Sequence, residues 1–183
     1  METAVTKIYQ AEPAGAETII STERLTKVYD TGEIKASALE EVDLSIQKGE
    51  IVAVMGPSGS GKTTLLNCLS GIDEPTSGTV HIEGQDLYQL RDRARTRFRA
   101  QRMGFVFQSF NLLPVLSVIE NIELPLLVTG VHPNVARKKA ILELDLLGLV
   151  DQASKRPAQL SGGQQQRIAI ARALVNDPAI VWC

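Results

Sequence analysis

A glycine-rich segment that follows a short apolar run is the part of this sequence best suited to bind phosphate. Residues 56–63, GPSGSGKT, match the spacing G-x-x-x-x-G-K-[ST]. Glycines allow successive main-chain N–H groups to converge on phosphate oxygens, and a helix that begins directly after the loop points its positive end at the same anion. In such a loop the Lys62 ammonium would neutralise phosphate charge and the Thr63 hydroxyl would bind Mg²⁺. The predicted phosphate-binding residues are Gly56, Pro57, Ser58, Gly59, Ser60, Gly61, Lys62, Thr63 and Thr64.

A second glycine-rich segment, residues 160–167 (LSGGQQQR), precedes an apolar pattern with helical spacing. Ser161 can cap the start of that helix, and Gln164, three positions later, can bond back to the cap residue in a capping box. The main-chain amides of Gly162 and Gly163 then point out of the helix start. The segment is therefore a second candidate anion site.

The elements around these two segments predict an α/β protein. Alternating strand-like residues begin at Thr18, and the wholly apolar run at 51–55 predicts a buried strand directly before the phosphate loop. A helix should follow the loop, because apolar residues recur there at helical spacing. Further predicted elements are a strand at 78–83, a charged helix or loop at 91–101, a strand at 104–107 that ends at Gln108, and a last buried strand at 179–183.

The segment between residues 117 and 150 predicts helices instead of strands. Pro133 lies near the start of the second helix and Gly148 just past its end, which is the usual punctuation. Pro125 argues against one unbroken helix in the first part. Residues 1–16 show no apolar period and predict a loose, flexible tail.

Composition excludes several classes of function. The 183-residue chain has a net charge of −2, so no overall field attracts it to nucleic acid. Six arginines between Arg91 and Arg102 scatter around the predicted helix and indicate a solvated face. Two cysteines form neither a disulfide framework nor a metal-binding spacing, and no stretch approaches the ~18 apolar residues of a membrane span. These features predict a cytoplasmic protein.

A phosphate loop alone would leave transporters, GTPases and nucleoside kinases open. A dinucleotide-binding interpretation is disfavoured, because Thr64 stands where G-x-G-x-x-[GA] needs a small residue. The LSGGQ sequence, followed by a helix such as QQRIAIARAL, resembles the signature motif of ATP-binding-cassette (ABC) ATPases. This resemblance implies a P-loop NTPase core with a mostly parallel sheet, an amino-terminal antiparallel β part and a helical insert at about 112–160, within a domain at 17–183.

The resemblance also implies roles for individual residues. Tyr29, in the segment KVYDTG, matches the aromatic residue that stacks on adenine, which suits a flat ring. Gln108 matches the glutamine that approaches Mg²⁺ and the attacking water and senses the membrane partner. The resemblance therefore implies Lys62 and Gln108 as catalytic residues. It implies Thr63 and Gln108 as metal contacts. The second segment would contact the γ-phosphate of ATP held on a partner subunit, through Ser161, Gly162, Gly163 and Gln164.

The implied protein is the ATP-binding subunit of a transporter, with ATP and Mg²⁺ as cofactors. Two copies would pair head to tail as a homodimer and drive a separate transmembrane permease subunit from the cytoplasmic face of the inner membrane. The segment PTSGTV, the run NLLPVLSVIENIELPLL and LSGGQQQR resemble the branch of macrolide exporters and lipoprotein-releasing ATPases.

In this family the strand after the signature helix ends in Asp-Glu, and the present sequence stops one residue before that aspartate. We therefore expect an incomplete domain whose last strands are missing and which by itself turns over negligible ATP. Two alternatives remain open at this point. One is a binding-only remnant without catalysis, and the other is a soluble, non-transport ABC ATPase acting on ribosomes or DNA.

Overall fold

A computed structural model describes residues 7–9, 17–30, 32 and 35–183 and divides the chain into two compact units, Met1–Arg95 and Thr96–Cys183. The first unit contains β1 (Lys7–Tyr9), β2 (Thr18–Asp30), β3 (Lys35–Gln47), β4 (Ala53–Met55), α1 (Lys62–Leu69), β5 (Ser77–Ile82) and β6 (Gln85–Asp86). Helix α2 (Asp92–Arg102) spans the division. The second unit continues with β7 (Met103–Phe105), α3 (Val118–Val128), α4 (Pro133–Leu146), α5 (Gly162–Leu174) and β8 (Ile180–Trp182).

The first unit is built on an antiparallel sheet of four strands in the order β3-β2-β5-β6. Strand β2 lies in the interior of this sheet and pairs with both β3 and β5. Leu25, Val80 and Ile82 are fully buried on it. The predicted amino-terminal antiparallel β part is therefore present, as is the predicted strand at 78–83.

Strand β4, directly before the phosphate loop, differs from the sequence prediction. Its described pairing is with β1, antiparallel, with Val54 opposite Ile8. Ile51 is 91% exposed and Met55 49% exposed, so the prediction of a buried strand at 51–55 is wrong. A strand is buried on both faces only where layers cover both of them, and an apolar run does not specify such layers. Of the predicted flexible tail the structure describes only β1; residues 1–6 and 10–16 lie outside the described part.

The second unit contains the parallel pair β7–β8, in which Gly104 lies opposite Val181. This is the sole parallel pairing among the described strands, so the expected mostly parallel sheet is represented here by two strands. The prediction that the run at 179–183 is buried is also wrong, since Val181 is 40% exposed.

Three helices make the hydrophobic core of the second unit. Ile122 of α3, Leu144 of α4 and Ile168 of α5 are each fully buried in one cluster. Helix α4 begins at Pro133 as predicted, and Gly148 after it has a positive φ of 64°. Contrary to the sequence prediction, α3 continues through Pro125 and ends at Val128, so this helix forgoes the hydrogen bond that the missing N–H of Pro125 would have made. No helix in the described part of the chain is long and apolar enough to cross a membrane.

Candidate functional site

The helix start after the phosphate loop has no side-chain cap. Helix α1 begins at Lys62 and is preceded by Gly61, which makes no side-chain capping bond. The first N–H groups of an α-helix have no partner within the helix, so a start without a side-chain cap keeps them available to an anion. The sequence order of strand, loop and helix thus produces the expected local geometry.

Gly61 in the loop is required by geometry, whereas Gly56 is closely packed against a side chain. Gly61 has a φ of +86°, and a Cβ on it would lie 2.4 Å from the main-chain oxygen of Ala38. Gly56 has a normal φ, but a Cβ there would lie 2.7 Å from Oγ of Ser60. Any larger residue at Gly61 would have to displace main chain and adopt a strained conformation. The loop is therefore fixed by contacts with β3 as well as by its own sequence.

Polar groups of the loop have unused bonding capacity that suits phosphate oxygens. The Lys62 ammonium donates to the main-chain oxygens of Gly56 and Pro57, at 2.9 and 2.7 Å, which brings its charge back over the loop. The buried Oγ of Ser60 has no hydrogen-bond partner among the described residues. A buried hydroxyl without a partner is costly, and an oxygen-rich ligand would supply one. These residues fit a bound phosphate chain.

Tyr29 lies beside the start of α1. Its hydroxyl donates to Oδ2 of Asp73 at 2.8 Å and lies 3.4 Å from Oγ1 of Thr64, and the side chain is partly exposed. The first unit thus brings the predicted base-stacking residue next to the predicted phosphate loop, across 35 residues of sequence. A flat, accessible ring in this position is able to stack on a purine.

Lys27 and Asp73 complete this cluster, and sequence reasoning did not select either of them. Lys27 Nζ bonds to Asp73 Oδ1 at 2.7 Å and lies 5.0 Å from the centroid of the Tyr29 ring. Burial opposes ionisation of Asp73, but bonds from Lys27 and Tyr29 outweigh it and hold the pKa of Asp73 below its ordinary value. The bond to Asp73 raises the pKa of Lys27. The sequence could have indicated Lys27 as a neighbour of Tyr29, because the two residues are two positions apart and residues i and i+2 of a strand share a face.

The second unit contains the other candidate anion site. The predicted capping box is present: the Gln164 amide donates to Ser161 Oγ at 3.4 Å, and the Ser161 amide donates to the Gln164 side chain at 2.9 Å. Ser161, Gly162 and Gly163 are exposed at the start of α5. The first amides of α5 therefore lie at an exposed helix start, where a ligand could approach them.

Gln108 is exposed in the loop that follows β7. Two residues later the chain takes unusual conformations, with positive φ of 60° at Phe110 and 45° at Asn111. Arg172 of α5 donates to the main-chain oxygens of both residues, at 2.7 and 2.5 Å. Sequence reasoning missed Arg172, because no pattern in the sequence shows which distant carbonyl groups need a donor. Gln108 and Ser161 belong to the second unit, and Tyr29 and the phosphate loop to the first.

These motifs define a class of protein. The sequence profile of the ABC transporter family matches residues 39–183, which is more than half of the chain. The chain therefore belongs to the ABC transporter family and, within it, to the ABC ATPases. The family resemblance predicted from the two motifs is confirmed.

Individual relatives agree with this assignment. An uncharacterized ABC transporter ATP-binding protein of Thermotoga maritima is 50% identical over 155 residues, which are 85% of this chain and 66% of the relative. The lipoprotein-releasing system ATP-binding protein LolD of Legionella pneumophila is 44% identical over 163 residues, 89% of this chain and 71% of the relative. Other relatives include an ATP-binding/permease protein of macrolide export, so the predicted branch is represented among the similar proteins.

A solved structure supports the fold. The dimeric, post-hydrolysis state of the ATP-binding cassette MJ0796, bound to ADP and Pi, superposes with a TM-score of 0.80 at 45% identity. The match covers 89% of this chain and 72% of the solved one. The predicted fold class, an ABC ATPase cassette, is thereby confirmed. This chain spans 66% of the Thermotoga relative, 71% of the Legionella relative and 72% of the solved MJ0796 chain, but only 23% of the macrolide-export relative.

Proposed function

We propose that this chain binds ATP with Mg²⁺ at the phosphate loop of its first unit. Lys62 would neutralise the β- and γ-phosphates, the first amides of α1 would bond to their oxygens, and Thr63 would bind the metal ion. The observation that supports this best is the uncapped start of α1 combined with the unpartnered Ser60 hydroxyl. Tyr29 would stack on adenine, and Gln108 would approach the metal ion and the attacking water.

The function that follows is the one its family performs. The protein would supply a transmembrane permease with the free energy of ATP binding and hydrolysis, from the cytoplasmic face of the membrane. Two copies would pair head to tail, so that the Ser161 site of one copy meets the γ-phosphate on the other. The dimeric state of the relative MJ0796 supports the pairing of two copies. The first tests on this chain measure binding, because the proposal begins with the nucleotide site at the phosphate loop.

The nucleotide site is tested by calorimetric titration of the chain with ATP and Mg²⁺. Replacing Lys62 by Ala removes charge-assisted bonds to phosphate and should weaken binding by about tenfold to a hundredfold. Lys48→Ala is the matched control, because Lys48 is an exposed lysine whose ion pair with Glu17 is long, at 3.9 Å. Equal affinity for ATP in the parent chain and in Lys62→Ala would contradict the proposal that ATP binds at the phosphate loop.

The head-to-tail dimer is tested by sedimentation with saturating ATP and Mg²⁺. Ser161→Ala should weaken nucleotide-dependent dimerisation, but it also removes a helix cap worth about 1 kcal/mol. Ser117→Ala is a close control, because Ser117 and Glu120 form the same capping box at the start of α3. If both variants weaken the dimer equally, Ser161 acts only as a cap. A chain that stays monomeric with ATP bound would overturn the dimer while leaving the nucleotide site intact.

A further inference from the structure

Lys27, Asp73 and Tyr29 form a connected cluster beside the phosphate loop. Asp73 bridges the other two, since Oδ1 accepts from Lys27 Nζ at 2.7 Å and Oδ2 accepts from the Tyr29 hydroxyl at 2.8 Å. Lys27 also donates to the main-chain oxygen of Glu74 at 2.6 Å. The Lys27 side chain is only 13% exposed, so its ammonium is held by these bonds instead of moving freely in water. The Asp73 carboxylate therefore holds both the Tyr29 ring and the Lys27 ammonium in place.

Asp73 itself is placed by several independent contacts. Its main-chain N–H donates to the carbonyl of Asn67 in α1, and its own carbonyl lies 2.6 Å from the Tyr88 hydroxyl. Three residues later, Thr76 accepts a hydrogen bond from the Val28 amide at 2.9 Å, which ties the loop to β2 between Lys27 and Tyr29. The loop after α1 is thus anchored on both sides of Asp73. A side chain supported in this way can hold another residue in one orientation.

The two faces of the Tyr29 ring are not equivalent. Lys27 Nζ lies over one face, 5.0 Å from the ring centroid, where a cation is attracted by the ring electrons. Because Asp73 and the Glu74 carbonyl hold that ammonium, a planar base cannot take its place without breaking these bonds. Among the described residues no cation lies over the opposite face, and Tyr29 is 40% exposed.

We infer that Lys27 and Asp73 are positioning residues for the base of the nucleotide: they hold the Tyr29 ring at a fixed tilt and assign the purine to the ring face opposite Lys27. This inference rests on the proposed nucleotide site, because it concerns how Tyr29 meets the base. The gain comes from preorganisation, since a ring already fixed loses less conformational entropy when the base binds. Phosphate binding at the loop itself should not depend on the pair.

The test compares two ligands, ATP and inorganic tripolyphosphate, by calorimetry on the whole chain. Both carry three phosphates, but only ATP carries a base and ribose. Lys27→Met and Asp73→Asn should each weaken ATP binding by about threefold to tenfold and leave tripolyphosphate binding unchanged. A general defect of the fold or the loop would weaken both ligands. Lys139→Met is the control, because Lys139 forms an ion pair with Asp177 in the second unit at 3.0 Å.

Further variants separate the possible outcomes. Tyr29→Ala should abolish the preference for ATP over tripolyphosphate; if it does not, the base contact in the proposed function fails, and this inference fails with it. If Tyr29→Ala abolishes the preference while Lys27→Met and Asp73→Asn retain it fully, the base contact stands and the positioning role is overturned. Lys27→Arg keeps the cation and should restore most of the affinity. If Lys27→Met does not fold, Asp73→Asn tests the same bond between Lys27 and Asp73.

The ring face is tested separately by nuclear Overhauser measurements on the ATP complex. Adenine protons should show contacts to the ring protons of Tyr29 and none to the ε-methylene of Lys27. Contacts between adenine and that methylene group would overturn the assignment of the face.

Discussion

Asn121 forms hydrogen bonds with both main-chain polar atoms of Leu113. Its Oδ1 accepts from the Leu113 amide at 2.7 Å, and its Nδ2 donates to the Leu113 carbonyl at 3.1 Å. The same Nδ2 lies 2.9 Å from the carbonyl of Ser117, and the Asn121 side chain is fully buried. The buried Asn121 side chain of α3 thus forms hydrogen bonds with main-chain groups of the irregular segment between Gln108 and the helices. In a regular element, a neighbouring strand or a helical turn would form such bonds.

Replacing Asn121 by Ala should destabilise the second unit by about 1–3 kcal/mol, because the Leu113 N–H loses its partner and the Leu113 carbonyl keeps only the bond from the Leu116 amide. The loss is measured by urea unfolding followed through Trp182, the single tryptophan, which lies in this unit. Asn134→Ala is the control at an exposed position of α4. Equal stability of the two variants would mean that water replaces the Asn121 bonds.

Arg172 should hold the loop at Phe110 and Asn111 in its unusual conformation. Arg172→Met keeps most of the side-chain length but removes both bonds, so amide hydrogen exchange at residues 109–113 should rise by about tenfold or more. Burial lowers the pKa of Arg172, which indicates that its charge is partly desolvated and that its bonds to the loop are not easily replaced by water.

The control for Arg172 is Arg167→Met, on the same helix. Arg167 bonds to the main-chain oxygens of Gly163 and Leu147, outside the loop, so exchange at 109–113 should stay unchanged. Arg172→Lys should give an intermediate result, since one ammonium replaces a two-armed donor. Unchanged exchange in Arg172→Met would show that the positive φ values are stable without it.

Gly104 of β7 should not tolerate a side chain. A Cβ at this residue would lie 2.3 Å from the main-chain oxygen of Ala173, where α5 crosses the strand. Gly104→Ala should therefore cost about 1–3 kcal/mol, as overpacking does, measured as a lower urea midpoint. Gly163→Ala, where a Cβ meets nothing within 4 Å, should be neutral or slightly stabilising in the same assay. A neutral Gly104→Ala would mean that α5 shifts freely against β7.

Acid should weaken the cluster around Tyr29. The pKa of Asp73 in the folded chain lies below its ordinary value of 3.8, so its ionised form stabilises the fold above that value. This stabilisation should be lost as the pH falls through the lower, folded-state pKa. Asp73→Asn removes the titrating group, so the stability difference between the parent chain and this variant should shrink in acid. A constant difference from pH 7 down to about pH 2 would contradict the assigned pKa shift.

The local features of both candidate sites could be predicted from sequence. The loop at 56–63 lies between a strand and a helix, and Ser161 and Gln164 form the predicted capping box, because both depend on residues within a few positions of one another. Glycine and proline at the ends of α4 acted as predicted for the same reason. Family membership was likewise contained in two short motifs.

Burial and long-range bonding were decided by the tertiary structure. The run at 51–55 is apolar, yet Ile51 is 91% exposed, because an apolar strand is buried only where other layers cover it. The hydrogen-bond partners of Asp73, Asn121 and Arg172 lie between 4 and 62 residues away along the chain, and most of them are main-chain oxygens. No sequence pattern predicts which of these groups will bond to which side chain. The sequence by itself determined the loop at 56–63 with the helix after it and the capping box at Ser161, because these depend on neighbouring residues. The fold decided which side chains hold Tyr29 and the loop after Gln108 in place, because hydrogen bonds depend on distance in space and not on separation along the chain.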